Sequence, residues 1–218
     1  MLTLTVRAKL LAMREIEAVL FDYGMVLSTA PDAAAWARMK AVLGMDEGQL
    51  YAAYWAHRDD YDCGKLGGKT YWQAVAGAEV DEARMRELLA ADVELWGQMN
   101  LPMVEWAERL RAAGYKTGVL SNIGDDIAAG LIARFDWLAK FTHCTWSHSL
   151  KTRKPDPGIY LHAAEGMGVP VKSVLFVDDK AVNVEAARKV GMVGMQYLGD
   201  EDFLRRMKDE GLGELMEV

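Results

Sequence analysis

Cysteine is nearly absent from this chain: two residues in 218, Cys63 and Cys144. They stand far apart and outside any metal-ligand spacing, which argues against a disulfide framework and a thiolate metal centre. Two free thiols in a reducing, cytoplasmic setting are expected. Proline is equally sparse, at five residues, and there is no repeat, low-complexity tract or long linker. Positive charge is short as well: 25 Lys and Arg face 32 Asp and Glu, a net charge of −7. No basic stripe supplies the clustered cations that nucleic-acid phosphates demand, so no nucleic-acid partner is expected. No apolar run reaches the roughly 18 residues of a transmembrane helix, and no membrane partner is expected either. Met1 to Arg14 carries Arg7, Lys9 and Arg14 among apolar residues but lacks a clear apolar core and cleavage site. Residues 1–16 read as a loose extension rather than a signal peptide, with Met13 as an alternative start. The four histidines, His57, His143, His148 and His162, show no ligand spacing and read as surface or core residues.

What is present is an ordinary folding composition, 51% hydrophobic and 26% charged. Two short apolar runs end abruptly on aspartate. Ala18-Val19-Leu20-Phe21 runs into Asp22, and Val174-Leu175-Phe176-Val177 runs into Asp178-Asp179. Such runs read as strands buried on both faces of a parallel sheet. Ligands of open α/β sheets bind beyond the carboxyl ends of the strands, so both runs place carboxylates where a site would form. If the strands are neighbours, three carboxylates converge, and their mutual repulsion calls for a cation. A hard divalent ion with oxygen ligands, Mg²⁺ above all, suits that set and points to phosphate chemistry.

From Lys116 onward strand and helix signals alternate. Strands are expected over Lys116–Leu120, Phe141–Thr145, Ser173–Val177 and Val193–Tyr197, and helices over Asp125–Arg134, Pro157–Gly166, Ala181–Val190 and Asp200–Glu210. An amphipathic helix, Leu101–Ala113, precedes them, with Pro102 in its first turn and Gly114 as its stop. The fold class is α/β, a Rossmann-like parallel sheet flanked by helices. Between the first strand and that helix the pattern is helical throughout: Ala33–Leu43, Glu47–His57, Thr70–Ala76 and Asp81–Glu94. This stretch holds Trp36, Trp55, Trp72 and Trp96, aromatics that at helical spacing read chiefly as core. The expected division is a core domain of 17–31 and 97–218, with a helical cap, 32–96, inserted after the first strand.

Four pieces then stand in order: FDYGMVL around Asp22, VLSN ending at Asn122, RKPDPGIY around Lys154, and VLFVDDKAVNVEAA around Asp178. Together they resemble the haloacid dehalogenase-like hydrolase superfamily, whose members are mostly phosphatases. The segment DYDCGKLGGKTYW further resembles the subgroup of capped sugar-phosphatases and the amino-terminal domain of soluble epoxide hydrolase. The resemblance implies a nucleophile at Asp22, attacking phosphorus to form an aspartyl-phosphate that water hydrolyses. It implies phosphate binding by Ser121 and its neighbour Asn122, and a Lys154 that neutralises the phosphoryl group and steadies Asp22. Mg²⁺ would be held by Asp22, the backbone carbonyl of Gly24 and the acidic pair. Asp179 is the better direct ligand, Asp178 the partner of a metal-bound water or of Lys154, and Asn183 the residue that orients this set. Lys151 and Arg153 read as solvated surface cations. The expected substrate is a small phosphorylated metabolite, such as a sugar phosphate, with Tyr61, Lys65 and Trp72 as candidates for reaching it from the cap. A monomer or homodimer is expected.

One position departs from the pattern. Most phosphatases of the superfamily carry a second aspartate two residues after the nucleophile, as general acid and base, and here that residue is Gly24. General acid–base help is worth roughly 10²–10⁴-fold. The gap leaves two alternatives open: a 2-haloacid dehalogenase, which also lacks that aspartate, or a catalytically impaired phosphate-binding protein with the same fold. The acidic pair Asp178-Asp179 favours a metal, and hence phosphate.

Overall fold

In the computed structural model, which describes residues 16–218, five parallel strands form one sheet. They are β1 (Ala18–Phe21), β2 (Lys116–Ser121), β3 (His143–Trp146), β4 (Val174–Asp178) and β5 (Val193–Gln196), in the spatial order β3-β2-β1-β4-β5. The apolar runs of β1 and β4 are fully buried, as a strand covered on both faces must be. Their side chains alternate. Val19 and Phe21 join the larger core with Trp106 and Val119, while Ala18 and Leu20 join a second core with Ile159, Tyr160 and Phe176. The register Phe21↔Val119 and Phe21↔Val177 brings three strand ends level. The chain winds outward through β2 and β3, then crosses back to place β4 on the other side of β1. This reversal between β1 and β4 is the switch point at which such sheets bind ligands.

After β1 the chain makes a tight five-residue turn, Tyr23–Leu27, and enters five consecutive helices. They are α1 (Ala33–Leu43), α2 (Glu47–Ala56), α3 (Arg58–Asp62), α4 (Gly68–Ala76) and α5 (Glu82–Leu95). Aspartates cap three of them: Asp32, Asp46 and Asp81 each accept a backbone N–H at the third helical position. Gly44 and Gly77 close α1 and α4 in the left-handed conformation that terminates helices. The return helix α6 (Leu101–Ala112) packs on the sheet, and α7 (Asp125–Arg134), α8 (Ser147–Leu150), α9 (Pro157–Met167), α10 (Ala181–Lys189), α11 (Asp200–Asp209) and α12 (Glu214–Glu217) complete the fold.

The α/β class and the helical insertion are as the sequence predicts, and most element ends fall within two residues of expectation. The strand expected at Phe141 starts instead at His143, because Asp136–Lys140 forms a 3₁₀ turn that runs up to Phe141. Helix α3 and the short α8 were not expected. Both thiols are free, Cys63 buried and Cys144 half-buried. Among the described residues no helix is long and apolar enough to cross a membrane. Apart from residue 16, the expected N-terminal extension lies outside the described residues.

Candidate active site

Asp22 follows β1 directly, its backbone N–H donating to the Val177 carbonyl at 2.8 Å. That bond extends the ladder by one residue and holds Asp22 beside Asp178. Carboxylate oxygens of Asp22, Asp178 and Asp179 lie within 4.8 Å of one another. One ammonium pairs with two of the three. Lys154 Nζ sits 2.8 Å from Asp22 Oδ1, 2.7 Å from Asp178 Oδ2 and 2.9 Å from the Leu120 carbonyl, with its side chain 1% exposed.

Lysine 154 reaches this buried position because its backbone is clamped. Asn122 Nδ2 donates to the Lys154 carbonyl at 2.9 Å, and the Lys154 N–H donates back to Asn122 Oδ1 at 2.8 Å. The side chain expected to hold phosphate is thus occupied in holding the loop that carries the lysine. Ser121, the last residue of β2, lines the same cavity beside it.

The two members of the acidic pair are used differently. Both Asp178 oxygens are engaged: Oδ2 accepts from Lys154, Oδ1 from the Lys180 N–H at 2.8 Å, and Asn183 Nδ2 bonds each at 3.0 Å. Asp178 is fully buried. Asp179 instead lines the cavity with Asp22 and Gly24.

Charge here is out of balance. Three carboxylates outnumber the cations beside them, Lys154 in direct contact and Lys180 acting on Asp179 from the cavity wall, and burial magnifies the imbalance. Burial pushes the Asp22 carboxyl up to about 8, against the pull of Lys154 and with the push of Asp178 and Asp179. Asp179 is also raised, by burial and by Asp178. A divalent cation relieves that excess of negative charge, and an all-oxygen donor set of Asp22, Asp179 and a backbone carbonyl is the kind that Mg²⁺ accepts. The residues present fit the ion.

The cavity beyond these groups measures about 310 Å³. Its far wall comes from the helical insertion and includes Trp55, Arg58, Asp62 and Trp96. Trp55 and Trp96 were read from the sequence chiefly as core, and Arg58 and Asp62 were not singled out, although their spacing of four residues was a usable signal. The three residues expected to reach the pocket do not line it. Tyr61 is buried, stacked on Tyr71 at 4.4 Å and pressed against Gly124, where an added Cβ would lie 2.1 Å from the ring. Lys65 is exposed and pairs with Asp60 at 2.9 Å, and Trp72 is wholly buried in the core. Arg153, expected to be a free surface cation, lines the cavity and bonds Asp59 at 2.6 Å. Lys151 likewise donates to the Gly64 carbonyl at 2.5 Å.

Residues 3–191 match the family model of haloacid dehalogenase-like hydrolases. A phosphoglycolate phosphatase of Xanthomonas campestris is 26% identical over 220 residues, covering 90% of this chain and 92% of that protein. A haloacid dehalogenase-like hydrolase domain-containing protein of Arabidopsis thaliana is 51% identical over 43 residues, which span only 14% of its length. Among solved structures, a HAD family enzyme of Bacteroides thetaiotaomicron in complex with magnesium and inorganic phosphate superposes with a TM-score of 0.69. It is 18% identical, and the match covers 85% of this chain and 96% of that one. The L-2-haloacid dehalogenase of Xanthobacter autotrophicus gives a TM-score of 0.62 at 20% identity, over 93% and 86% of the two chains. At such identities the structural likenesses establish the fold.

Proposed function

The chain belongs to the haloacid dehalogenase-like hydrolase family, and from that premise we propose that it is a Mg²⁺-dependent phosphatase acting on a small phosphorylated metabolite. The observation that carries the reading is the cluster of three carboxylates, only two of which Lys154 pairs, which leaves the site net negative. Mg²⁺ would be held by Asp22, Asp179 and the Gly24 carbonyl, and when bound it would neutralise charge on the phosphoryl oxygens. Asp178 stands behind them, fixing Lys154 and fixed in turn by Asn183.

Asp22 is the nucleophile. Its carboxylate oxygen forms a bond to phosphorus while the bond from phosphorus to the ester oxygen breaks, and the leaving alkoxide takes a proton from solvent water. Water then attacks the aspartyl-phosphate, releasing inorganic phosphate and restoring Asp22. Lys154 pulls Asp22 toward the anion against the effect of burial and meets the phosphoryl charge, and Ser121 offers its hydroxyl to a phosphoryl oxygen. Residues 17–31 and 97–218 form the catalytic core. Residues 32–96 form a cap that excludes bulk water from the aspartyl-phosphate, as in the capped sugar-phosphatase and epoxide-hydrolase amino-terminal subgroup. A cavity of about 310 Å³ lies at the low end of the ~300–1,000 Å³ range of ligand pockets, which suits a small metabolite.

Gly24 favours the dehalogenase reading, since displacing halide from carbon needs no acid at that place. The acidic pair favours phosphate, because a metal-free displacement has no use for it. The deciding experiment offers p-nitrophenyl phosphate and 2-chloropropionate, each with Mg²⁺ and with EDTA. Mg²⁺-dependent release of phosphate alone is the expected result. Metal-independent chloride release would establish the dehalogenase, and no turnover of either compound the impaired binding protein.

A further inference from the structure

We propose that the helical insertion is a fixed wall of the cavity and not a moving lid: a glycine seam locks it to the α/β core, and ligands pass through a side mouth while it stays in place. The inference goes beyond the phosphatase reading, on which only the identity of those ligands depends.

The seam is built from both sides. Gly124 and Gly130 of the core leave notches that side chains of the insertion fill, Tyr61 in the first and Val93 in the second. Gly64 and Gly68 of the insertion lie in turn against the His148 carbonyl and the Asp126 carboxylate of the core. At each of the four an added Cβ would overlap its neighbour, so glycine brings the two parts closer than any other residue would. Knobs seated in notches oppose sliding as well as separation.

Polar groups cross the same seam. Helix α4 has no side-chain cap of its own: its N-cap is Gly67, and the Gly68 N–H donates instead to Asp125 Oδ1 of the core at 3.1 Å. The buried Ser147 hydroxyl donates to the Asp62 carbonyl and accepts from the Ile123 N–H at 2.8 Å. Lys151 Nζ donates to the Gly64 carbonyl at 2.5 Å, and Arg153 pairs with Asp59 at 2.6 Å. Apolar packing is continuous beneath them. Tyr61, Tyr71, Leu88 and Leu95 share one cluster with Phe21, Ile127 and Leu131. Swinging the insertion away would expose that apolar surface and part these contacts together, which makes insertion and core one cooperative unit.

Ligands need no such opening. Among the residues that line the cavity, Met25, Pro31, Trp55, Asp59 and Lys180 are exposed. They come from the turn after β1, from the insertion and from the start of α10, and they border a mouth between the two parts. A small ester can reach Asp22 by that route.

The test staples the seam. Gly67 has φ −85°, open to any residue, and a Cβ there would lie 3.3 Å from Asp125 Oδ2, so Gly67→Cys with Asp125→Cys can form a disulfide. Thiol titration in denaturant confirms the bond if it still counts Cys63 and Cys144 as free. With p-nitrophenyl phosphate and Mg²⁺, the oxidised variant should keep kcat and KM within about twofold of the same variant in dithiothreitol, whereas a lid that must open would gate turnover. A larger loss that dithiothreitol restores overturns the inference. Hydrogen exchange on the wild type reads the seam without turnover: the Gly68 amide should exchange only on global unfolding, together with the amides of β4. Exchange of Gly68 through a separate, faster opening also overturns the inference. Where the disulfide does not form, or where no ester is turned over and the phosphatase reading falls, the exchange result alone decides.

Discussion

Replacing Gly24 by aspartate should restore an acid that the site lacks. The backbone permits it: Gly24 has φ −64° and ψ 132°, an ordinary extended conformation open to any residue. The first added atom also fits, since a Cβ there would sit 3.6 and 3.9 Å from Trp96 Cζ3 and Cε3, normal van der Waals contact. A carboxyl placed beside Asp22 and Asp179 would be pushed up by its neighbours, and thus be protonated when the leaving oxygen needs a proton. Without such a group the wild type must expel the leaving oxygen unaided. It should therefore depend steeply on leaving-group acidity, turning over p-nitrophenyl phosphate far faster than an alkyl phosphate. General acid help spans roughly 10²–10⁴-fold. Taking the low end for an unselected geometry, Gly24→Asp should raise kcat on an alkyl phosphate by about 10²-fold, or ~2.7 kcal/mol of barrier. On the aryl ester, whose leaving group needs no proton, the change should stay within a few-fold. The assay is steady-state phosphate release on a series of esters graded in leaving-group acidity, and the readout is the slope. A wild type already insensitive to the leaving group, with a folded Gly24→Asp variant that changes nothing, would show that the acid is supplied elsewhere.

Two further outcomes follow from the same cluster. Asp22→Asn should abolish turnover while the protein stays folded, because Lys154 keeps Asp178 at 2.7 Å and the amide removes one of three crowded charges; activity near the wild-type level would refute the nucleophile. EDTA should remove activity and Mg²⁺ restore it, with Ca²⁺ a poor substitute because its looser coordination suits in-line geometry badly. Independently of turnover, Mg²⁺ at about 100 times its Kd should stabilise the fold by ~2.7 kcal/mol, and a melting temperature indifferent to Mg²⁺ would speak against the metal site.

The sheet and the carboxylate cluster were legible because both are written in short-range signals. A buried strand of a parallel sheet must be apolar throughout, so Ala18–Phe21 and Val174–Val177 announce themselves, and the aspartates that end them mark the strand tips. Helix ends in the insertion were legible for a similar reason, through the capping aspartates Asp32, Asp46 and Asp81 and the closing glycines Gly44 and Gly77. The cavity's far wall was not. Arg58–Asp62 reads R-D-D-Y-D, with no apolar period, and it forms a turn of helix because distant groups fold it inward: Asp92 of α5 draws Arg58, and Gly124 of the core makes room for Tyr61. Tyr61 was expected to reach the pocket from the cap. A missing Cβ more than sixty positions away gives it a buried seat instead. Trp55 and Trp96 end helices α2 and α5, and spacing along one helix does not say which face meets a cavity shared with another.

Asp92 carries the last prediction, because it is the buried charge on which that wall is built. It is wholly buried, its Oδ1 takes the Tyr54 hydroxyl and lies 3.7 Å from Arg58 Nη1, and its Oδ2 has no hydrogen-bond partner. Burial outweighs the pull of Arg58 and raises the carboxyl from 3.8 to about 6. The sign follows from which state holds the proton. Between those two values folded Asp92 keeps a proton that the unfolded chain has released, so stability falls as pH rises through this window and stays reduced above it. A shift of about two units corresponds to ~3 kcal/mol in all, of which ~1.4 kcal/mol falls between pH 5 and 7.5. Asp92→Asn keeps the shape and the acceptor for Tyr54 and cannot ionise, while Arg58 retains Asp62 at 2.8 Å. Urea unfolding of both proteins at pH 5 and pH 7.5, with Mg²⁺ held constant, isolates the effect, since titrations common to the two largely cancel in the difference. The variant should gain about 1.4 kcal/mol on the wild type across that interval. A difference in stability that stays flat from pH 5 to 7.5 would mean that Asp92 is already ionised at the lower pH. Arg58 would then face two full negative charges, Asp62 and Asp92, throughout that range.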